Sequence, residues 1–329
     1  MTMIPFDRLA FRSSTREAFE NAQVELARQG KSCEPGCVVS LDRGYPLVCT
    51  REFEGRAELA TSIKKSEDSI VAVGDWVALH RPPHHEKAVI ERVLPRRNEI
   101  ARVKRVGRER QLRRQVLAAN VDIVLICHSL TGMGVDEDLL VRQMVAVSGC
   151  EATPVFVLTK GDLVNEETID ASCERIRAVA PETPLFVVSV DDAASIERLR
   201  GVFSRFTTGL LLGESGVGKS SLVNALLGTE ALATGEVRAS DDKGRHTTVA
   251  RRMIPLPHGG LIIDAPGLRT LQILDMETSL RLAFDDIAQT ACACRFRDCT
   301  HGDEPGCAVR GAVAPERLEA YRRLLLGGR

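Results

Sequence analysis

Apolar and polar positions along this chain change rhythm three times. From about Cys33 to Leu94, β-favouring runs at 37–40, 45–49, 69–73 and 76–79 are separated by Gly44, Gly55, Gly74 and Asp75. Short alternating runs with such punctuation predict a small all-β barrel. From Val121 to about Met276 the runs become continuous, as in strands buried on both faces: 121–126, 153–158, 184–188 and 208–212. Between them, 136–148 and 166–179 carry helical periodicity, the first opening on acidic residues that suit a helix N-terminus. This is a βαβ pattern with a mostly parallel sheet. The runs 251–256 and 260–264 flank a turn at Pro257-His258-Gly259 and predict a hairpin. The last fifty or so residues predict two helices, 277–289 and 315–326, around a Cys/His cluster. Residues 1–32 form a polar, partly helical arm.

Charge changes this picture in one place. The net charge is only -1 and aromatic residues make up 4%, so the chain is neither a uniformly basic coat protein nor a stacking platform for single strands. Yet ten basic residues fall between Arg92 and Arg114, opposed only by Glu99 and Glu109. Nine of the ten are arginine, whose planar fork suits phosphate oxygens, although a charge run is also ordinary solvated surface. No apolar run reaches the length of a membrane span, and the first thirty residues hold no signal core, so the expected location is the cytoplasm. Cysteines there stay reduced, which turns a cluster of them toward metal rather than disulfide.

The candidate chemistry centres on Gly213-Glu214-Ser215-Gly216-Val217-Gly218-Lys219-Ser220, between the run 208–212 and the helical stretch that begins at Ser221. Glycines let backbone amides curl around phosphates, Lys219 reaches the terminal phosphates, and the Ser220 hydroxyl faces Mg²⁺. Asp264-Ala265-Pro266-Gly267 closes the second hairpin strand. There Asp264 can hold Mg²⁺ through water while the Gly267 amide faces a γ-phosphate. Between the two lies Gly244-Arg245-His246-Thr247-Thr248, with Thr248, or alternatively Thr247, as a switch threonine for the metal. Base choice falls to Thr159-Lys160-Gly161-Asp162 at the end of a predicted strand. The Asp162 carboxylate can accept both the ring N–H and the amine of guanine, and the Lys160 stem covers the base. Ser189-Val190, ending the next strand, offers a backbone amide to the guanine carbonyl.

The order of these parts is rotated relative to the usual GTPase. Base motif and serine motif come first, then phosphate loop, switch and Asp-x-Pro-Gly. A compact domain tolerates such rotation because its ends lie close together. The expected architecture is therefore an OB-fold β-barrel (33–98), a basic linker (99–118), a circularly permuted α/β P-loop GTPase domain (119–276) and a helical zinc-binding module (277–329). In that module Cys294, Cys299, His301 and Cys307 offer three thiolates and one imidazole within fourteen residues, which suits one closed, structural Zn²⁺ site. Cys292 is a spare, and the pair Cys33 and Cys37 reads as structural.

The rotated order, Ala119-Asn120-Val121-Asp122, the Gly244–Thr248 segment and the zinc spacing together resemble the RsgA (YjeQ) family of bacterial GTPases over roughly residues 35–310. The resemblance implies hydrolysis of GTP to GDP and phosphate, stimulated by the 30S ribosomal subunit. It also implies a checkpoint role late in small-subunit maturation, with barrel and zinc module gripping 16S rRNA and the chain acting as a monomer. His246 resembles the family's switch histidine, expected to replace the water-orienting glutamine because Leu268 follows Gly267. Thr159 stands where the family usually has Asn, so weaker guanine binding is expected. The catalytic set is then His246, Lys219 and Thr248, and Ser221 completes the nucleotide-binding run. The rival reading is an RNA-binding assembly factor that uses guanine nucleotide mainly as a structural or affinity switch.

Overall fold

The computed structural model describes residues 4–42, 45–64, 71–83, 86–106, 111–132, 134–229, 251–265 and 268–327. The chain forms two compact units. The first comprises Met1–Ile123, Arg200–Leu211 and Leu226–Leu268, and the second Val124–Leu199, Leu212–Ala225 and Arg269–Arg329. Strands and helices are numbered along the chain.

In the first unit, β1 (Cys33–Asp42), β2 (Tyr45–Cys49), β3 (Glu54–Leu59), β4 (Trp76–His80) and β5 (Ala88–Val93) pair in the order β1-β2-β3-β5-β4. A further β1–β4 ladder, from Cys33↔His80 to Cys37↔Trp76, closes the barrel. This is the five-stranded OB-fold. Val38, Val48, Val77, Leu79 and Ile90 fill it, with Ile63 of the short α2 (Thr61–Lys64) capping one end. The expected strand at 69–73 is not one. Val71 and Ala72 lie outside any strand and Val73 makes a single bridge to Ala118, while Ser69 and Ile70 fall outside the described residues. The Asp75 side chain accounts for this, because it accepts the Ala72 amide at 2.8 Å and folds the segment into a turn.

The basic stretch, expected as a linker, is a two-stranded antiparallel ribbon of β6 (Glu99–Val106) and β7 (Gln111–Ala119). Arg96 anchors its base, donating to both oxygens of the fully buried Asp75 at 2.7 and 2.8 Å and to Glu99 at 2.6 Å. The Ala119-Asn120-Val121-Asp122 motif leaves the ribbon at this same end, where Glu99 pairs with Ala119. Asn120 takes a left-handed turn (φ 56°) and donates to the Gly74 carbonyl. Asp122 accepts from Arg12, Arg97 and the Thr208 amide at 2.6–2.8 Å. The arm is less polar than its composition suggests. Ahead of α1 (Ser13–Ala27), Phe6 meets Trp76 edge-on and Phe11 meets it at a tilt, with ring centroids 5.6 and 4.7 Å away. In the same unit, β11 (Thr208–Leu212) runs parallel to β13 (Leu261–Asp264), and β12 (Arg251–Pro255) closes the expected hairpin with β13.

In the second unit, β8 (Ile123–Ser129), β9 (Thr153–Thr159) and β10 (Leu185–Val187) lie side by side, β9 and β10 parallel. The helices α3 (Glu137–Ser148), α4 (Glu166–Val179) and α5 (Ala193–Arg200) alternate with them. Asp136 and Asn165 cap α3 and α4 by accepting the Leu139 and Thr168 amides. Leu125, Ile126, Leu140, Met144, Phe156 and Leu158 make the dry core. After the phosphate loop comes α6 (Lys219–Leu227). The expected helix 277–289 is two, α7 (Met276–Ala283) and α8 (Asp285–Ala291), broken where Phe284 turns to φ -123° and ψ 53° with its ring fully buried. α9 (Pro315–Gly327) then packs on α4. Its Arg317 is 7% exposed, pairs with Asp286 at 2.6 and 2.8 Å, and donates to the Val179 carbonyl at the end of α4. A cation there satisfies a helix-terminal carbonyl and opposes the helix dipole. Among the described residues no helix is long and apolar enough to cross a membrane.

Candidate nucleotide site and metal centre

Two loops of the second unit meet through one hydroxyl. β9 ends at the buried Thr159, and Lys160 turns the chain sharply with φ 61° and ψ 37° into a one-turn helix, Gly161–Leu163. Thr159 Oγ1 lies 2.5 Å from the Val217 carbonyl and 3.1 Å from the His128 carbonyl. One hydroxyl has one proton, so the shorter bond to Val217 is the stronger claim on it. The shorter side chain thus still reaches the phosphate loop. Asp162, just beyond, is exposed, and its carboxylate bonds to no described residue.

The neighbouring turn is stitched by two serines. The Ser189 amide donates to Ser195 Oγ at 3.2 Å, and Ser189 Oγ accepts the Asp191 amide at 3.2 Å. Between these bonds Val190 is 48% exposed, and its own amide bonds to no described residue.

The phosphate loop itself follows β11, whose residues are all buried. Gly213 has φ 152°, and a Cβ there would lie 2.4 Å from the Cys127 carbonyl oxygen, so only glycine lets the loop pass over β8. In α6 the Leu222 amide donates to the Gly218 carbonyl, which leaves the amides before it without intrahelical acceptors. Those orphan donors and the helix dipole favour an anion. Lys219 Nζ arches back and donates to the Gly213 and Glu214 carbonyls at 2.6 and 2.5 Å. Under the loop, burial pushes the Cys127 thiol up to about 12, against a smaller pull from the Lys219 charge, so it is a neutral, inert thiol.

The metal candidates converge as well. Ligand atoms of Cys294, Cys299, His301 and Cys307 all lie within 4.8 Å of one another. His301 Nδ1 stands 3.7 Å from Cys294 Sγ and 3.6 Å from Cys307 Sγ. Tetrahedral Zn²⁺ with S and N ligands requires an edge of roughly 3.6 Å, so this donor set fits zinc. Thr300 braces the loop, its amide and hydroxyl donating to Glu304, whose carboxyl is thereby held down at about 2.

Residues 93–274 match the family model described as RsgA GTPase. The small ribosomal subunit biogenesis GTPase RsgA of Streptomyces coelicolor is 38% identical over 297 residues, which cover 88% of this chain and 79% of that one. The chain belongs to the RsgA GTPase family. The protein of the same name from Xanthomonas oryzae is 39% identical over 303 residues, with the same coverage. Among solved structures, YjeQ from Thermotoga maritima superposes with a TM-score of 0.68 at 27% identity, covering 90% of this chain and 99% of that chain. YloQ, a circularly permuted GTPase, shares the fold with a TM-score of 0.64 at 23% identity, covering 90% and 94%.

In this RsgA-family chain the second unit gathers Thr159, Lys160, Asp162, Ser189, Val190 and the whole run Gly213 to Ser221. Asp264 ends β13 in the first unit, with Leu268 buried four residues on. His246, Thr247, Thr248 and Gly267 lie outside the described residues. Two residues of the second unit that carried no local signal are His128 and Gln143. Both are buried, and they are hydrogen-bonded to each other at 2.7 Å beneath the base motif.

Proposed function

We propose that this protein binds GTP and hydrolyses it to GDP and phosphate during biogenesis of the small ribosomal subunit, in the cytoplasm and as a monomer. The observation that carries the reading is the Thr159–Val217 hydrogen bond, which unites a base motif with a phosphate loop 58 residues later in the chain. Asp162 accepts the two N–H groups of guanine, the Lys160 stem covers the base, and the Val190 amide meets the carbonyl. Lys219 moves from its loop carbonyls to the β- and γ-phosphates and stabilises charge there. Ser220, Thr248 and Asp264 would hold Mg²⁺, whose charge would offset that of the phosphates. His246 orients the attacking water. Leucine at 268 cannot do so, because it has no hydrogen-bonding group.

Contact with 16S rRNA falls to the basic ribbon and the zinc module. Support for the first is that Arg251 has its pKa lowered, by burial first and by the nearby Arg102 charge second. Gathering cations against their own repulsion suits a phosphate backbone. Support for the second is the run Arg295-Phe296-Arg297 between two zinc ligands, with Phe296 40% exposed and the Arg295 guanidinium 5.4 Å over its ring. Zinc knuckles with an aromatic and arginines suit unstacked bases.

The deciding experiment is steady-state GTP hydrolysis with and without purified small subunits, with large subunits as control. The expected result is stimulation by small subunits alone, abolished in Lys219→Ala. Equal rates under all three conditions would overturn the ribosomal part of the reading. Full small-subunit binding by Lys219→Ala, equal with GDP and a GTP analogue, would favour the rival in which nucleotide is only a structural ligand.

A further inference from the structure

One buried polar chain in the second unit touches neither the base-reading carboxylate nor the phosphate-loop lysine. Gln143 on α3 is 2% exposed. Its Nε2 donates to the Arg269 carbonyl at 3.3 Å, and its Oε1 lies 2.7 Å from His128 Nε2. With the amide nitrogen committed to a carbonyl, the amide oxygen faces the histidine, so His128 Nε2 carries the proton. The His128 main-chain carbonyl lies 3.1 Å from Thr159 Oγ1, whose one proton goes to the Val217 carbonyl. The hydrogen-bonded run is therefore His128–Gln143–Arg269, from the end of β8 through α3 to the backbone beyond Asp264.

The end points give the chain its meaning. Arg269 is where the backbone enters the second unit after the Asp264 strand and Leu268. α3 also carries α7 of the C-terminal module. Gly149, at the end of α3, lies so near α7 that a Cβ would stand 2.0 Å from Ser279 Oγ. A single helix thus holds both the Arg269 backbone and α7 of the module that follows it. An apolar side chain at 143 would fill the same space without needing polar partners, so the amide is there for its bonds.

We propose that Gln143 is a positioning residue that clamps the Arg269 backbone to α3 and so holds the start of the 269–274 segment in the arrangement that hydrolysis requires. The proposal rests on the GTPase reading above. Coupling through such networks changes function by roughly 3- to 30-fold when broken.

Two variants test it in the full chain. Gln143→Met keeps the length and removes both bonds, while Gln143→Glu keeps an acceptor for His128 and loses the donor to Arg269. Both are expected to lower kcat for GTP with small subunits by roughly 3- to 30-fold, with KM and the GDP Kd changed less than about twofold. Amide exchange across residues 269–274 in the wild type should differ between GDP and a non-hydrolysable GTP analogue, and both variants should erase that difference. Unchanged kcat, or a fall in kcat matched by weaker GDP binding and a lower Tm, would overturn the clamp in favour of plain packing. Exchange that is identical with the two nucleotides in a wild type that does turn over GTP would also overturn it, leaving the GTPase reading intact. A wild type that binds both nucleotides but never hydrolyses GTP would instead sink the GTPase reading and the clamp with it.

Discussion

Thr159 Oγ1 and the Val217 carbonyl oxygen lie 2.5 Å apart, so the last residue of β9 is bonded directly to the glycine-rich loop at 213–218. Thr159→Val keeps the shape and removes the donor, leaving the half-buried Val217 carbonyl without its partner. The expected cost is about 1–3 kcal/mol of nucleotide binding, or roughly 5- to 150-fold in the Kd for GDP. Isothermal titration measures it, and an unchanged Kd would mean that the bond does not organise the site.

Asp162 should decide which base enters. Asp162→Asn replaces one of two acceptors with a donor that faces the guanine amine, so GDP affinity should fall by roughly 10³-fold or more. Xanthine carries a carbonyl where guanine has that amine, so xanthosine diphosphate should bind the variant better than GDP does. Competition between the two nucleotides on wild type and variant reads this preference. A variant that still prefers GDP would remove Asp162 from the base site.

The Cys294, Cys299, His301 and Cys307 cluster should hold about one zinc per chain, measured by plasma mass spectrometry on protein purified without added metal. Cys299→Ser or His301→Ala should lower that content and the Tm together, because a structural zinc site gains its ion only in the folded state. Full zinc content in both variants would place the ion elsewhere.

Acid should loosen the C-terminal module through Asp286. Its bonds to Arg317 hold that carboxyl below the usual carboxylate range. As pH drops below about 4 the unfolded chain takes up the proton first, so the pair's stabilisation is whole above that pH and is lost as pH falls through the folded value. Asp286→Asn should cost about 1–3 kcal/mol at neutral pH, less than a fully buried pair because Asp286 is half in water. Thermal melts of wild type and variant should keep their gap above about pH 4 and converge as pH falls below it. A gap that stays constant over that range would assign the loss to packing.

The sequence-based reading worked where chemistry is local and faltered where it depends on distant partners. The glycines from 213 to 218, the strand-end position of Asp162 and the zinc spacing are short-range signals, and each lies where its strand or loop was expected. The helix 166–179 was legible to the residue because Asn165 caps it. The ribbon at 99–119 was not, because charged residues such as Arg102, Lys104, Arg113 and Arg114 interrupt the apolar alternation that marks a strand. The arm hid its anchor for a similar reason. Phe6 and Phe11 look isolated among polar residues until Trp76 meets them. His128 and Gln143 gave no signal at all, since their partners lie 15 and 126 residues apart in sequence.

Rotated motif order also sets a timetable for the growing chain. Translation delivers Thr159 first and Val217 only 58 residues later, about 3–12 s at ordinary elongation rates. During that interval the base-reading strands have no phosphate loop to bond, and no nucleotide can help them hold together. The early half must therefore persist on its own apolar packing, and GTP can act only on a chain that has already emerged past α6.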